Sequence, residues 1–163
     1  MSVNDASVTE ARPADADYAG TVHATCVKIG DEGVLLMGES GSGKSDLALR
    51  LIDRGARLVS DDYTHVEAMN GKVAASPPAT IAGLMEVRGI GIVTMDYVSH
   101  VDVALIARLN EPEDAPPERF PLERTTERLC GMDVPVLALA GFESSSPIRI
   151  ELALKSLGQA ATQ

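Results

Sequence analysis

The stretch that most constrains this chain is Gly38-Glu39-Ser40-Gly41-Ser42-Gly43-Lys44-Ser45, which has the form G-x-x-x-x-G-K-[ST] of a phosphate-binding loop. Such a loop needs a buried strand before it and a helix after it, and the neighbouring residues supply both. Gly33-Val34-Leu35-Leu36-Met37 reads as a buried strand, and Leu47, Ala48, Leu51 and Ile52 fall on one face of a helix. The glycines let backbone N–H groups wrap a phosphate, and the helix N-terminus adds partial positive charge. Lys44 is expected to reach the β/γ-phosphates of a nucleotide and the Ser45 hydroxyl to hold Mg²⁺. Strand, loop and helix in this order imply an α/β fold.

The 163 residues suit one domain with a proper core. Net charge is −10 and the isoelectric point is near 4.6. That balance argues against nucleic-acid backbones and anionic membranes as partners. A local basic spot remains at Lys44, Arg50, Arg54 and Arg57. Cys26 and Cys130 stand in no C-x-x-C or zinc spacing and read as small buried hydrophobes in a reducing cytosol. The N-terminal stretch has no apolar leader core, and no run approaches the roughly 18 apolar residues of a membrane span. The expectation is a soluble, cytoplasmic protein.

Along the chain, residues 1–18 read as a disordered tail, 19–158 as the folded domain and 159–163 as a second tail. Residues 21–29 read as one strand that forms a hairpin with 33–37 across Gly30-Asp31-Glu32-Gly33. That departs from an ordinary phosphate-loop nucleoside triphosphatase, whose first strand is flanked by parallel ones. The helix from Lys44 should stop at Arg54-Gly55. Arg57–Ser60 is a short strand delivering Asp61-Asp62, and Asn70-Gly71 joins strands over 63–69 and 72–76. Residues 81–87 read equally as a helical turn or a strand, and the glycines of Arg88–Val93 suggest a bulge or a close backbone approach. A central strand covers 101–109, a Pro-rich acidic loop 110–117 and another strand 134–140, while 118–130 stays unassigned. Ser146-Pro147 reads as an N-cap and first-position proline of a helix to about Leu157.

A phosphate cradle alone performs no chemistry. Phosphoryl transfer also needs a metal contact, charge neutralisation and a base for the attacking hydroxyl. Asp61-Asp62 sits at a strand's carboxyl end, where one acid can face Mg²⁺ and the other an acceptor hydroxyl. Glu86 and Arg88, two apart on an extended chain, share a face; they can complete a metal shell and neutralise phosphate, or equally form a surface ion pair. His23, alone on a strand, reads by itself as structural, as do His65 and His100.

Three motifs in order resemble the bacterial HPr kinase/phosphorylase family: Gly33 to Ser45, Arg54 to Asp62, and Leu84-Met-Glu-Val-Arg-Gly-Ile-Gly-Ile92. The likeness covers about residues 21–150. It implies a phosphoenolpyruvate-carboxykinase-like phosphate-loop domain with a mixed central sheet, ATP and Mg²⁺ as cofactors, and transfer to a serine of the phosphocarrier HPr. It also implies the reverse reaction, in which inorganic phosphate attacks phosphoserine, and a homo-oligomer, a hexamer in the family. By this resemblance Lys44 is the loop lysine, Ser45 and Glu86 bind metal, and Asp62 is the catalytic aspartate of the Asp61-Asp62 pair. His23 becomes the catalytic histidine, and Arg119 is the family's further arginine, with Arg124 and Arg128 as competitors. The resemblance is to a short form without the family's N-terminal domain, similar to alphaproteobacterial versions, for which regulation of a nitrogen-type phosphotransferase branch is expected. Gly141-Phe-Glu-Ser-Ser-Ser146 stands where the family has a basic, glycine-containing loop. Two other readings compete: a small-molecule kinase, and a catalytically silent nucleotide-sensing module.

Overall fold

Alternation of side chains along the strands decides which face of the sheet the helices cover. The computed structural model describes residues 19–109 and 125–161. In chain order these form β1 (Ala19–Val22), β2 (Ala24–Ile29), β3 (Glu32–Met37), α1 (Lys44–Asp53), β4 (Arg57–Ser60), β5 (Thr64–Met69) and β6 (Lys72–Ser76). A 3-10 turn (Ala79–Ile81) then leads to β7 (Leu84–Val87), β8 (Gly91–Thr94), β9 (Val101–Arg108), β10 (Thr125–Leu129), β11 (Met132–Ala138) and α2 (Ser146–Ala161).

Nine strands make one mixed sheet in the order β1-β5-β6-β9-β3-β2-β4, with β11 on β9 and β10 on β11. β9 is the seam. Its first residues pair antiparallel with β6, and its later ones pair parallel with both β3 and β11. Val34 and Leu36 of β3 pack with Leu47, Ala48 and Leu51 of α1 and with Ile150 and Leu154 of α2. Their neighbours Leu35 and Met37 belong to the opposite face, with Val22, Val66, Val73 and Ala75 of β1, β5 and β6. The period of two thus builds two cores from one run of apolar residues. Each fully buried leucine contributes about 1.5–3 kcal/mol. Arg54 ties the end of α1 to α2 by a forked pair of hydrogen bonds to Glu151, at 3.0 and 2.7 Å.

The α/β class, the mixed sheet, both hairpins and the limits of α1 and β4 agree with the sequence reading. Several details differ. The strand expected over 21–29 breaks at His23: β1 pairs with β5, while β2 pairs with β3 and β4. The 81–87 stretch ends as strand, and Arg88-Gly89-Ile90 turns it into β8. Gly89 and Gly91 have φ of 84° and 112°, and a Cβ on either would meet nothing within 4 Å, so the turn requires left-handed backbone, not close approach. α2 runs to Ala161, beyond the expected Leu157, and Ser146 is already helical; its hydroxyl donates to Ala140 O at 2.5 Å instead of capping. The expected N-terminal tail and the 110–117 loop lie outside the described residues.

Candidate active site

Three adjacent strands end at one edge of the sheet. β2 lies between β3 and β4, with Ala24 opposite Met37 and Cys26 opposite Ser60. His23 precedes β2, Gly38 follows β3 and Asp61 follows β4, so strand pairing alone gathers these segments.

The loop from Gly38 to Gly43 turns through glycines at φ of 159°, 86° and 101°, the last being the residue before α1. Gly43 O accepts the first helical bond from Leu47 N at 2.8 Å, and Ser42 N donates to Glu39 O at 3.0 Å. Lys44, 6% exposed, arches back to donate to Gly38 O at 2.7 Å and Glu39 O at 3.1 Å. Burial lowers its pKa, against the upward pull of Asp62 and Asp61. Ser42 Oγ is buried with no hydrogen-bond partner among the described residues, as fits a cradle for a polyoxygen ligand.

Asp61 and Asp62 take different places. Asp61 is buried, and its Oδ1 accepts from Ser45 Oγ at 2.6 Å and from Thr25 Oγ1 at 3.1 Å. Its Oδ2 accepts from the backbone N–H of Glu86 at 3.1 Å, which fastens the β7–β8 hairpin to the loop. Asp62 is exposed, with φ of 69°. That left-handed turn swings its side chain away from Asp61. Its Oδ1 lies 2.8 Å from Nε2 of His23, whose ring stacks on Tyr63 at 5.1 Å between centroids. The Asp62 N–H donates to the same Thr25 hydroxyl at 3.0 Å. Hence the two acids differ because of backbone handedness, not strand alternation; both lie beyond the end of β4.

The structure therefore brings together Gly38 to Ser45, Asp61, Asp62, His23 and the backbone of Glu86. Among the described residues no hydrogen bond or ion pair joins Arg88 to them. β7 ends at Val87, Arg88 belongs to the turn, and the expected pairing with Glu86 on one face is absent among the described residues. Arg119 and Arg124 lie outside the described residues, and Arg128 pairs with Asp133 at 3.2 Å. That register is near the start of β11, whose other end runs beside Arg108 and the loop. Sequence reasoning missed Thr25, which joins both acids; its spacing of two from His23 was the available signal. It also missed Tyr63, and Arg50 as the anchor of residues 141–143.

No cluster of three or more His, Cys, Asp or Glu groups that could hold a metal occurs among the described residues. Mg²⁺ does not require one. It is held by one or two carboxylates and keeps waters and substrate phosphates as its other ligands. The Ser45 hydroxyl against the Asp61 carboxylate is a hard-oxygen pair of that kind, and Glu86 meets the same acid through its backbone N–H. No described helix is long and apolar enough to cross a membrane.

A family model described as the HPr Serine kinase C-terminal domain matches residues 17–149. The HPr kinase/phosphorylase of Brevibacillus brevis is 33% identical over 129 residues, covering 73% of this chain and 41% of that protein. That of Clostridium tetani is 46% identical over 72 residues, 44% of this chain and 24% of that protein. The matches thus span less than half the length of these curated relatives. Among solved structures, one titled as the Hpr(Ser) kinase/phosphatase from Coxiella burnetii superposes with a TM-score of 0.74 at 32% identity, covering 87% of this chain and 95% of that one.

Proposed function

The chain belongs to the HPr serine kinase C-terminal domain family, and from that premise we propose that it transfers the γ-phosphoryl group of ATP to a serine hydroxyl of an HPr-type phosphocarrier. The observation that carries this reading is the division of labour between two adjacent acids. Asp61 accepts three hydrogen bonds, from Ser45, Thr25 and the Glu86 N–H, so it fixes the loop hydroxyl. Asp62 stands exposed at the edge, held only through His23 on one oxygen among the described residues.

In the forward direction Asp62 takes the proton of the acceptor serine as that oxygen bonds to phosphorus and the bond to the β-phosphate oxygen breaks, releasing ADP. His23 orients the accepting carboxylate. Lys44 and the loop N–H groups carry the spread charge of the phosphates. Mg²⁺, when bound through Ser45 and Glu86 beside Asp61, supplies further neutralisation of the phosphate oxygens. In the reverse direction protonated Asp62 gives its proton to the leaving serine oxygen while inorganic phosphate attacks, yielding pyrophosphate.

The test is to incubate the protein with ATP, Mg²⁺ and an HPr-type carrier and to locate the phosphate. Phosphoserine on the carrier is the expected product; label on histidine, or on small acceptors without the carrier, overturns the reading. Asp62→Asn should lower the transfer rate by about 10²–10⁴-fold while ATP still binds. A variant that transfers at the wild-type rate removes Asp62 from the mechanism.

A further inference from the structure

The nucleotide-loop reading leaves one side of the loop unexplained. Ser45 borders Asp61, where the chemistry sits. Gly43 borders an aromatic ring from far along the chain. A Cβ placed on Gly43 would stand 3.2 Å from Cε1 and Cζ of Phe142 and 3.4 Å from Cε2, so the tip of the ring meets the glycine. Phe142 is nevertheless 54% exposed.

The ring is held there by design of the backbone. Arg50 of α1 donates from Nε to Asp46 at 2.9 Å, from Nη1 to Glu143 O at 2.9 Å and from Nη2 to Gly141 O. One guanidinium thus grips the residues on both sides of Phe142. Gly141 is buried against the loop itself, where a Cβ would overlap the Ser42 carbonyl. Ser146 fixes the far side through Ala140 O. The segment from Ala140 to Glu143 is therefore a clamped rim of the phosphate loop, and its one large side chain is a half-open aromatic surface.

We propose that Phe142 is the stacking platform for the purine base of the bound nucleotide. The inference rests on the nucleotide-loop reading above and adds the base-binding half of the site. Phosphates held by the loop N–H groups with their terminal end toward Asp61 and Asp62 direct the sugar and base to the opposite rim. There a flat apolar face offers stacking, which tolerates either purine because each has a π-face.

Calorimetry with ATP, GTP and tripolyphosphate, each with Mg²⁺, tests this on the whole chain. Phe142→Ala should weaken ATP and GTP about 10-fold and leave tripolyphosphate unchanged. Phe142→Trp should retain ATP affinity. Because the chain contains no tryptophan, its fluorescence then reports the position alone, and ATP but not tripolyphosphate should quench it. That second variant decides the matter if Phe142→Ala does not fold. Equal losses for ATP and tripolyphosphate make Phe142 a wall of the loop and overturn the proposal; no loss overturns it too. Wild-type protein that binds tripolyphosphate as tightly as ATP overturns the platform and leaves the phosphate cradle standing. If ATP stacks as described but no carrier serine is labelled, only the carrier reading falls.

Discussion

Two regions meet at Asp61 and are built on opposite terms. On one side, the loop and α1 rest on a full core: Val34, Leu36, Leu47, Ala48 and Leu51 have no exposure at all. On the other, the β7–β8 hairpin forms a two-stranded sheet of its own. It buries Met85 but leaves Ile90 and Ile92 at 75% and 72% exposure. The Glu86 N–H ties it to the site by donating to the Asp61 carboxylate. An isolated two-stranded hairpin is marginal in water. The half carrying the loop is thus set by packing, whereas the half carrying Glu86 depends on buried Met85, half-buried Val87 and Val93, and a few hydrogen bonds. The difference teaches that one carboxylate links a rigid region to one with little local stability.

The largest break in that contrast comes from the rigid side. Leu47→Ala should cost about 3 kcal/mol in thermal or denaturant unfolding, while Ile90→Ala should change stability by less than about 0.5 kcal/mol. Comparable losses for the two would erase the distinction. Next is the link itself. Asp61→Asn turns an acceptor toward the Glu86 N–H into a competing donor or leaves Ser45 and Thr25 short, for a loss of about 1–3 kcal/mol. Amide hydrogen exchange should speed up across 84–94 and stay slow in β5 and β6; uniform acceleration would mean the hairpin is not separately held. A smaller effect is expected at the hairpin turn. Gly89→Ala forces a Cβ into φ of 84° and should cost about 1 kcal/mol without altering tripolyphosphate binding. The smallest effect is chemical. Burial raises the thiol pKa of Cys26, and burial with the Glu67 charge raises that of Cys130. Thiolate is then scarce at neutral pH, and rising pH should expose neither until the fold opens. Native protein should react with a thiol reagent at neither site near pH 8 and at both after denaturation; early reaction of Cys26 would show that β2 is less firmly held than its core suggests.

Much of the rigid half was legible because its signals are local. The loop glycines, the 47-48-51 apolar face, Gly55 at the end of α1 and Asn70-Gly71 each act within a few residues. Asn70 and Gly71 indeed take φ of 55° and 77°. The candidate site was legible where a motif fixes spacing: Lys44, Ser45, Asp61 and Asp62. Position along a strand misled where the strand stopped. His23 reads as a strand residue but marks a break, because β1 leaves to pair with β5. Arg88 reads as sharing a face with Glu86 but lies in the turn. Thr25, Tyr63 and the grip of Arg50 on residues 141–143 depend on contacts between distant segments, 91 residues apart in the case of Arg50 and Gly141. No local pattern carries those.

The left-handed backbone of Asp62 bears on what can drift at this site. A non-glycine residue at φ of 69° is costly for most side chains, while Asn and Gly accept that region most readily. The replacements that silence the carboxylate are therefore the ones the backbone would welcome. The backbone exerts no pull toward an acid here. On the role proposed for Asp62, a chain could lose that acceptor with no backbone penalty, so a stability screen would pass the variant, and an assay of transfer is what tells the two apart.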